Sequence, residues 1–180
     1  MNMKKGQLSL ETIIMLVVLL VLAGAIISLI LYYLKPGVIS TPQQTLAKRD
    51  FLSKCENYCN DPKSLDYCTY YFQGDDWDGD GIKYNIIQVG KYRWYACEDR
   101  VYCFLVVPCE DRFGSGLEAI KKCKELLCQT LLDKYDGDRK LATQALYNIV
   151  GFSSKCSDRK FASSVPETEN WYETVFGEGC

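Results

Sequence analysis

The sequence predicts an α+β protein: a long N-terminal apolar helix, then a disulfide-rich globular head with an antiparallel β-meander and flanking helices. Three features of the 180-residue chain predict this class. An apolar run of about 22 residues lies near the N-terminus, and ten cysteines all follow it. Beyond it, segments rich in aromatic and β-branched residues are flanked by segments with helical periodicity.

The apolar run extends from Ile13 to Leu34 and is interrupted by only one glycine and one serine. As a helix it would be about 33 Å long, which is enough to cross a bilayer. Lys4 and Lys5 precede the run and Lys35 follows it, so the charge balance favours a cytoplasmic N-terminus and an exported C-terminus. A small-x-small site ending at Ala25 leaves open a secreted protein, although cleavage there would expose a second apolar segment.

The cysteine content supports export of the remainder of the chain. An even, high count downstream of such a segment is typical of disulfides formed outside the cytoplasm. We expect all ten to be bridged: Cys55, Cys59, Cys68, Cys97, Cys103, Cys109, Cys123, Cys128, Cys156 and Cys180. Spacing alone does not reveal which cysteines pair, but Cys55 and Cys59 lie one helical turn apart and should reach different partners.

Two further counts argue against whole classes of function. The chain contains no histidine, which removes the commonest general base and the commonest metal ligand, so we expect no enzymatic activity. Its net charge is −2 with mixed signs along the chain, which gives no electrostatic reason to expect a nucleic acid partner.

The head begins with a predicted helix from about Pro42 to Cys59, because proline suits the first helical turn. Residues 67–107 are rich in tyrosine and β-branched residues, and we expect three or four antiparallel strands there. Short turns at Val89-Gly90-Lys91 and Glu98-Asp99 would connect the strands.

Helical spacing returns after this region. The apolar pattern predicts one helix beginning at Leu117 and another from about Asp138 to Val150, with Gly151 ending it. The terminal Cys180 would fray unless it is bridged, so we expect a disulfide to tie it back to the head.

One stretch, "DDWDGDGIKYN", carries a chemical motif. Asp76, Asp78 and Asp80 alternate and Gly81 follows, which is the D-x-D-x-D-G pattern of the first half of a calcium loop. The spacing lets three carboxylates converge on one hard cation, and Ile82 would contribute its backbone carbonyl. We therefore expect this loop to hold a structural Ca²⁺.

The loop departs from the full calcium motif at its end. The position of the bidentate glutamate is occupied by Ile87, so another ligand must come from elsewhere, and Asp75 is a candidate. The alternative is an ordinary turn, since Asp and Gly dominate turns. Four aspartates within six residues nevertheless repel one another unless a cation neutralises them.

The N-terminal residues "KKGQLSLE" followed by a long apolar helix resemble the class III signal peptide of archaeal type IV pilin-like proteins. The resemblance implies that a prepilin peptidase cuts between Gly6 and Gln7 and that the apolar helix is retained. It also implies that Glu11 guides filament assembly by pairing with the new N-terminal amine of a neighbouring subunit. A carboxylate beside an apolar run is costly to bury unless it is paired in this way.

The resemblance implies a leader at residues 1–6, a membrane and filament-core helix at 7–35, and an extracellular head at 36–180. The expected protein is a membrane-inserted precursor that becomes a structural subunit of a surface filament for adhesion. Its partners would be the membrane, the prepilin peptidase, and copies of itself or other pilin-like subunits. The alternative is a single-pass, membrane-anchored exported binding protein that does not polymerise.

Overall fold

A computed structural model describes residues 10–33, 42–61, 65–151, 156, 161 and 165–180 of the chain. The chain divides into two compact units, Met1–Ile39 and Ser40–Cys180. The first contains helix α1, Leu10–Tyr33, and the second is the head.

Helix α1 is apolar on all sides. Its span Thr12–Leu29 has no buried residue, and its large apolar side chains are 48–69% exposed. A helix that is apolar all round requires either a protein core or lipid around it. Among the described residues it is the one helix long and apolar enough to cross a membrane, so it indicates membrane insertion or a signal sequence.

Within its described residues, the head contains three long α-helices and two short ones. The helices in chain order are α2, Pro42–Asn60; α3, Asp66–Thr69; α4, Cys103–Val106; α5, Leu117–Lys134; and α6, Arg139–Val150. The predicted helices correspond to α2, α5 and α6. The Asp138 carboxylate caps α6 by accepting hydrogen bonds from the N–H groups of Lys140 and Leu141, at 2.9 and 3.1 Å.

The described sheet has two antiparallel strands, β1, Ile86–Val89, and β2, Trp94–Cys97. Ile86 pairs with Cys97 and Val89 with Trp94. The connecting turn contains Gly90, whose φ is 69°, a region that glycine adopts without steric cost. The hairpin turn predicted at Val89-Gly90-Lys91 is therefore confirmed.

The predicted meander of three or four strands is wrong. Its outer segments form α3 and α4, and an isolated bridge between Tyr71 and Tyr102 is the strand-like contact between them. The predicted turn at Glu98-Asp99 is a 3₁₀ turn, Glu98–Arg100. The reason is burial: residues 101–105 are all buried, whereas a strand on a one-sided sheet alternates between core and solvent.

All three tryptophans and three of the tyrosines of the head are buried in its core. The fully buried Trp171 donates from Nε1 to the carbonyl of Tyr95 at 2.9 Å and packs edge-on against Tyr102 and Phe104. Edge-to-face packing of this kind adds to the stabilisation from burial. Tyr172 and Phe176, in the π-helical turn Tyr172–Phe176, continue the cluster.

All ten cysteines are paired, which confirms the predicted disulfides and indicates an oxidising, extracellular location for the head. The bridges are Cys55–Cys103, Cys59–Cys109, Cys68–Cys123, Cys97–Cys156 and Cys128–Cys180. Cys55 and Cys59 do reach different partners, and Cys180 is tied to α5 as expected. Each bridge joins residues 48–59 positions apart.

Candidate metal centre

Four carboxylates of the head converge in space. Asp76, Asp78, Asp80 and Glu98 each place one oxygen within 4.8 Å of the others. The three aspartates come from the predicted loop, and Glu98 directly follows β2. The sequence motif therefore brings its three aspartates together, and the tertiary structure adds a fourth carboxylate.

The first aspartate organises the loop. Asp76 accepts hydrogen bonds from the N–H of Gly79 to Oδ1, at 2.7 Å, and from the N–H of Gly81 to Oδ2, at 3.1 Å. Gly79 and Gly81 have φ values of 83° and 82°, which a side chain would disfavour. The chain therefore coils around the carboxylate of Asp76.

The other two aspartates are held by the backbone that follows them. Asp78 Oδ1 accepts from the N–H of Asp80 at 3.1 Å, and Asp80 Oδ1 accepts from the N–H of Ile82 at 2.6 Å. Both aspartates are exposed, so one side of the group is open to solvent. These bonds orient the carboxylates locally, as Asx turns do.

Helix α2 fixes the position of the loop. Gln44 donates from Nε2 to the carbonyl of Asp76, and Lys48 donates from Nζ to the carbonyl of Trp77 at 3.2 Å. The Lys48 ammonium also lies 4.1 Å from the Trp77 ring centre, and that ring packs edge-on against Phe51. Burial lowers the pKa of Lys48, and the nearby Asp78 carboxylate opposes that shift.

Glu98 differs from the three aspartates in its burial. Its side chain is 0% exposed, and among the described residues no other charged side chain is buried. Oε2 accepts from the N–H of Asn85 at 3.4 Å, and the N–H of Glu98 donates to the carbonyl of Asn85 at 3.1 Å. Within the described part of the chain, Oε1 has no hydrogen-bond partner.

The electrostatics of Glu98 follow from this environment. Burial, together with the negative charges of the loop aspartates, raises the pKa of Glu98 to about 7. The hydrogen bond from the Asn85 N–H opposes the shift because it favours the ionised form. A buried carboxylate facing three others is unfavourable unless a proton or a cation neutralises it.

The other predicted loop residues have different surroundings. The Asp75 carboxylate accepts a hydrogen bond from the Tyr84 hydroxyl at 2.6 Å and does not belong to the four-carboxylate group. Ile82 is exposed, and its carbonyl remains a predicted ligand. Ile87 lies buried in β1, where it pairs with Ala96.

Sequence reasoning missed Glu98 as a member of the group. In the sequence, Glu98 is a charged residue at the end of a predicted strand. A charged residue in that position is equally typical of a turn. Its proximity to the aspartates depends on the hairpin, because the pairing of Ile86 with Cys97 brings the end of β2 back beside Asn85.

The residues predicted for processing are mostly outside the described part of the chain. Gly6 and Gln7 both lie outside the described residues. Glu11 lies in the first turn of α1, and its side chain is outside what the structure describes. Their roles remain predictions from the resemblance.

Comparison with protein-family models, with curated proteins and with solved structures gives no match for this chain.

Proposed function

We propose that this chain is a pilin-like structural subunit of an archaeal type IV pilus-like surface filament that serves attachment. The observation that carries the proposal is helix α1, whose large apolar side chains between Ile13 and Leu29 are all substantially exposed. Such a surface needs an apolar environment, which a bilayer provides before assembly and neighbouring copies of α1 provide afterwards.

The residues before and within the start of α1 separate this proposal from a plain anchor. The stretch "KKGQLSLE" resembles a prepilin peptidase site, with cleavage expected between Gly6 and Gln7. Cleavage would create an amine near the apolar helix, and Glu11 of a neighbouring subunit would pair with it. A buried carboxylate requires such a partner, so this contact would select the register in which helices pack.

The head fits a role outside the cell. Its five disulfides suit an oxidising compartment, and covalent ties between its elements suit a domain that must persist on a surface. The alternative is a membrane-anchored exported binding protein that does not polymerise, in which α1 would remain in the bilayer.

The decisive experiment is N-terminal sequencing of the native protein, for which we expect a mature chain beginning at Gln7. A mature chain beginning at Met1 or Ile26 would contradict the proposal. Sheared surface filaments should also contain the chain.

A matched pair of substitutions then tests assembly. Glu11→Ala should abolish filaments while the protein stays in the membrane, whereas Thr12→Ala, at the next residue, should assemble normally. Undiminished filaments from the Glu11→Ala protein would refute the pairing role. Membrane-bound wild-type protein that never enters filaments would favour the anchored binding protein.

A further inference from the structure

The four-carboxylate group of the head has a composition that selects among cations. All four ligand groups are carboxylates, and the group contains neither cysteine nor histidine. Oxygen-only sets favour hard cations, whereas zinc and copper prefer nitrogen and sulfur donors.

The size of the group agrees with calcium. Opposite oxygens of a Ca²⁺ site are about 4.6–5.2 Å apart, since each lies about 2.3–2.6 Å from the ion. The four oxygens here all lie within 4.8 Å of one another, a spacing compatible with the ligands of one shared Ca²⁺. Mg²⁺ requires opposite oxygens about 4.0–4.2 Å apart and usually keeps several of its waters.

Glu98 supplies an observation independent of the acidic loop. It is fully buried, its carboxylate belongs to the group, and its Oε1 has no hydrogen-bond partner within the described residues. Buried polar atoms are nearly always satisfied, and an exception calls for a partner such as an ion. A cation between Glu98 and the aspartates would provide that partner.

We propose that Asp76, Asp78, Asp80 and Glu98 form a calcium site in which Glu98, from beyond the hairpin, replaces the glutamate that usually ends a calcium loop. The bound ion joins segments that are distant in sequence. Helix α2 holds the loop through Gln44, and Glu98 begins the 3₁₀ turn that directly follows β2. Calcium therefore stabilises the loop and the hairpin together.

The test uses the full chain in detergent micelles at pH 8, stripped with a chelator and titrated with CaCl₂ by calorimetry. We expect one Ca²⁺ per chain and a melting temperature raised by roughly 5 °C or more at saturating calcium. No binding heat and no shift would overturn the site. A shift of equal size with MgCl₂ would overturn the assignment to calcium.

Glu98→Gln tests the new ligand, because glutamine keeps the size of the side chain and removes its charge. We expect its dissociation constant for Ca²⁺ to rise at least about 10-fold. In chelator the variant should be as stable as the wild type or more stable, since it no longer buries an unpaired carboxylate. If Glu98 had only a structural role, the order of stability of the variant and the wild type would be the same in chelator and in calcium.

Two further variants complete the design. Glu118→Gln makes the same change at an exposed carboxylate of α5 and should leave calcium binding unchanged. Asp78→Asn changes an exposed member of the group, so it should fold normally and still weaken binding. Unchanged affinity in both Glu98→Gln and Asp78→Asn would overturn the proposal.

Discussion

Helix α1 and the head are both rich in apolar side chains, but they place them in opposite environments. The large apolar residues of α1 are exposed, whereas the head buries its aromatic rings around Trp171 and ties its elements together with five disulfides. The head is therefore stabilised by its own contacts, whereas α1 exposes an apolar surface that calls for an apolar environment.

Reduction of the disulfides should have the largest effect, because it should unfold the head and leave helix α1 unchanged. Each bridge joins residues 48–59 positions apart, and loop-closure entropy assigns about 4 kcal/mol to a loop of that length. Losing all five should unfold the head, because a domain has only about 5–15 kcal/mol of stability in total. Helix α1 should stay helical and membrane-bound.

The measurements are near-ultraviolet and far-ultraviolet circular dichroism of the full chain in micelles, with and without a thiol reductant, followed through thermal unfolding. The aromatic signal of the head should disappear and the helical signal of α1 should remain. The oxidised protein, which should titrate with no free thiol, is the control. A reduced head with an unchanged melting temperature would show that the disulfides do not stabilise the head.

A pair of matched leucine substitutions should give opposite results in the two regions. Leu20 in α1 and Leu46 in α2 are 65% and 63% exposed. Leu20→Arg should impair membrane insertion, since arginine near the centre of a membrane helix costs about 2.5–3.5 kcal/mol. Leu46→Arg should be harmless, because that side chain can remain in water.

Alkaline extraction of membranes measures the difference. Wild type and Leu46→Arg should remain in the pellet, and a larger fraction of Leu20→Arg should enter the supernatant. Equal extraction of the two variants would indicate that exposure of α1 does not reflect a lipid environment.

The smallest expected effect concerns a helix end in the head. Asp138→Ala removes the cap of α6 and should lower the free energy of unfolding by about 1 kcal/mol. Asp133→Ala, an exposed aspartate near the end of α5, is the control and should change stability by at most a few tenths of a kcal/mol. Thermal unfolding of both variants measures the difference, and equal stability would refute the capping role.

Local signals predicted much of the fold. Helices α2, α5 and α6 appear where the apolar period and the flanking proline and glycine indicate, and the hairpin turns at Gly90. The prediction of a meander was wrong because segments rich in aromatic and β-branched residues can also form short buried helices. The segment Val101–Leu105 is buried at every position, a property of the packed core that its composition does not reveal.

The candidate metal site likewise has one part that the local sequence predicts and one part that it does not. The alternation of Asp76, Asp78 and Asp80 predicted their convergence, since a coiled loop of that spacing points carboxylates inward. Glu98 was missed because it lies 18 residues beyond Asp80 in the chain. Its place beside them depends on the pairing of β1 with β2, which is a contact between separate segments.

The apolar length of α1, the long helices of the head, the acidic loop and the presence of disulfides can all be predicted from the sequence alone. They depend on composition and on residues a few positions apart, which local physics controls. Which cysteines pair, and which carboxylate faces the loop, became known from the three-dimensional structure. Both depend on residues far apart in sequence meeting in space, where packing of the whole core chooses among many arrangements that are equally compatible with the local chain.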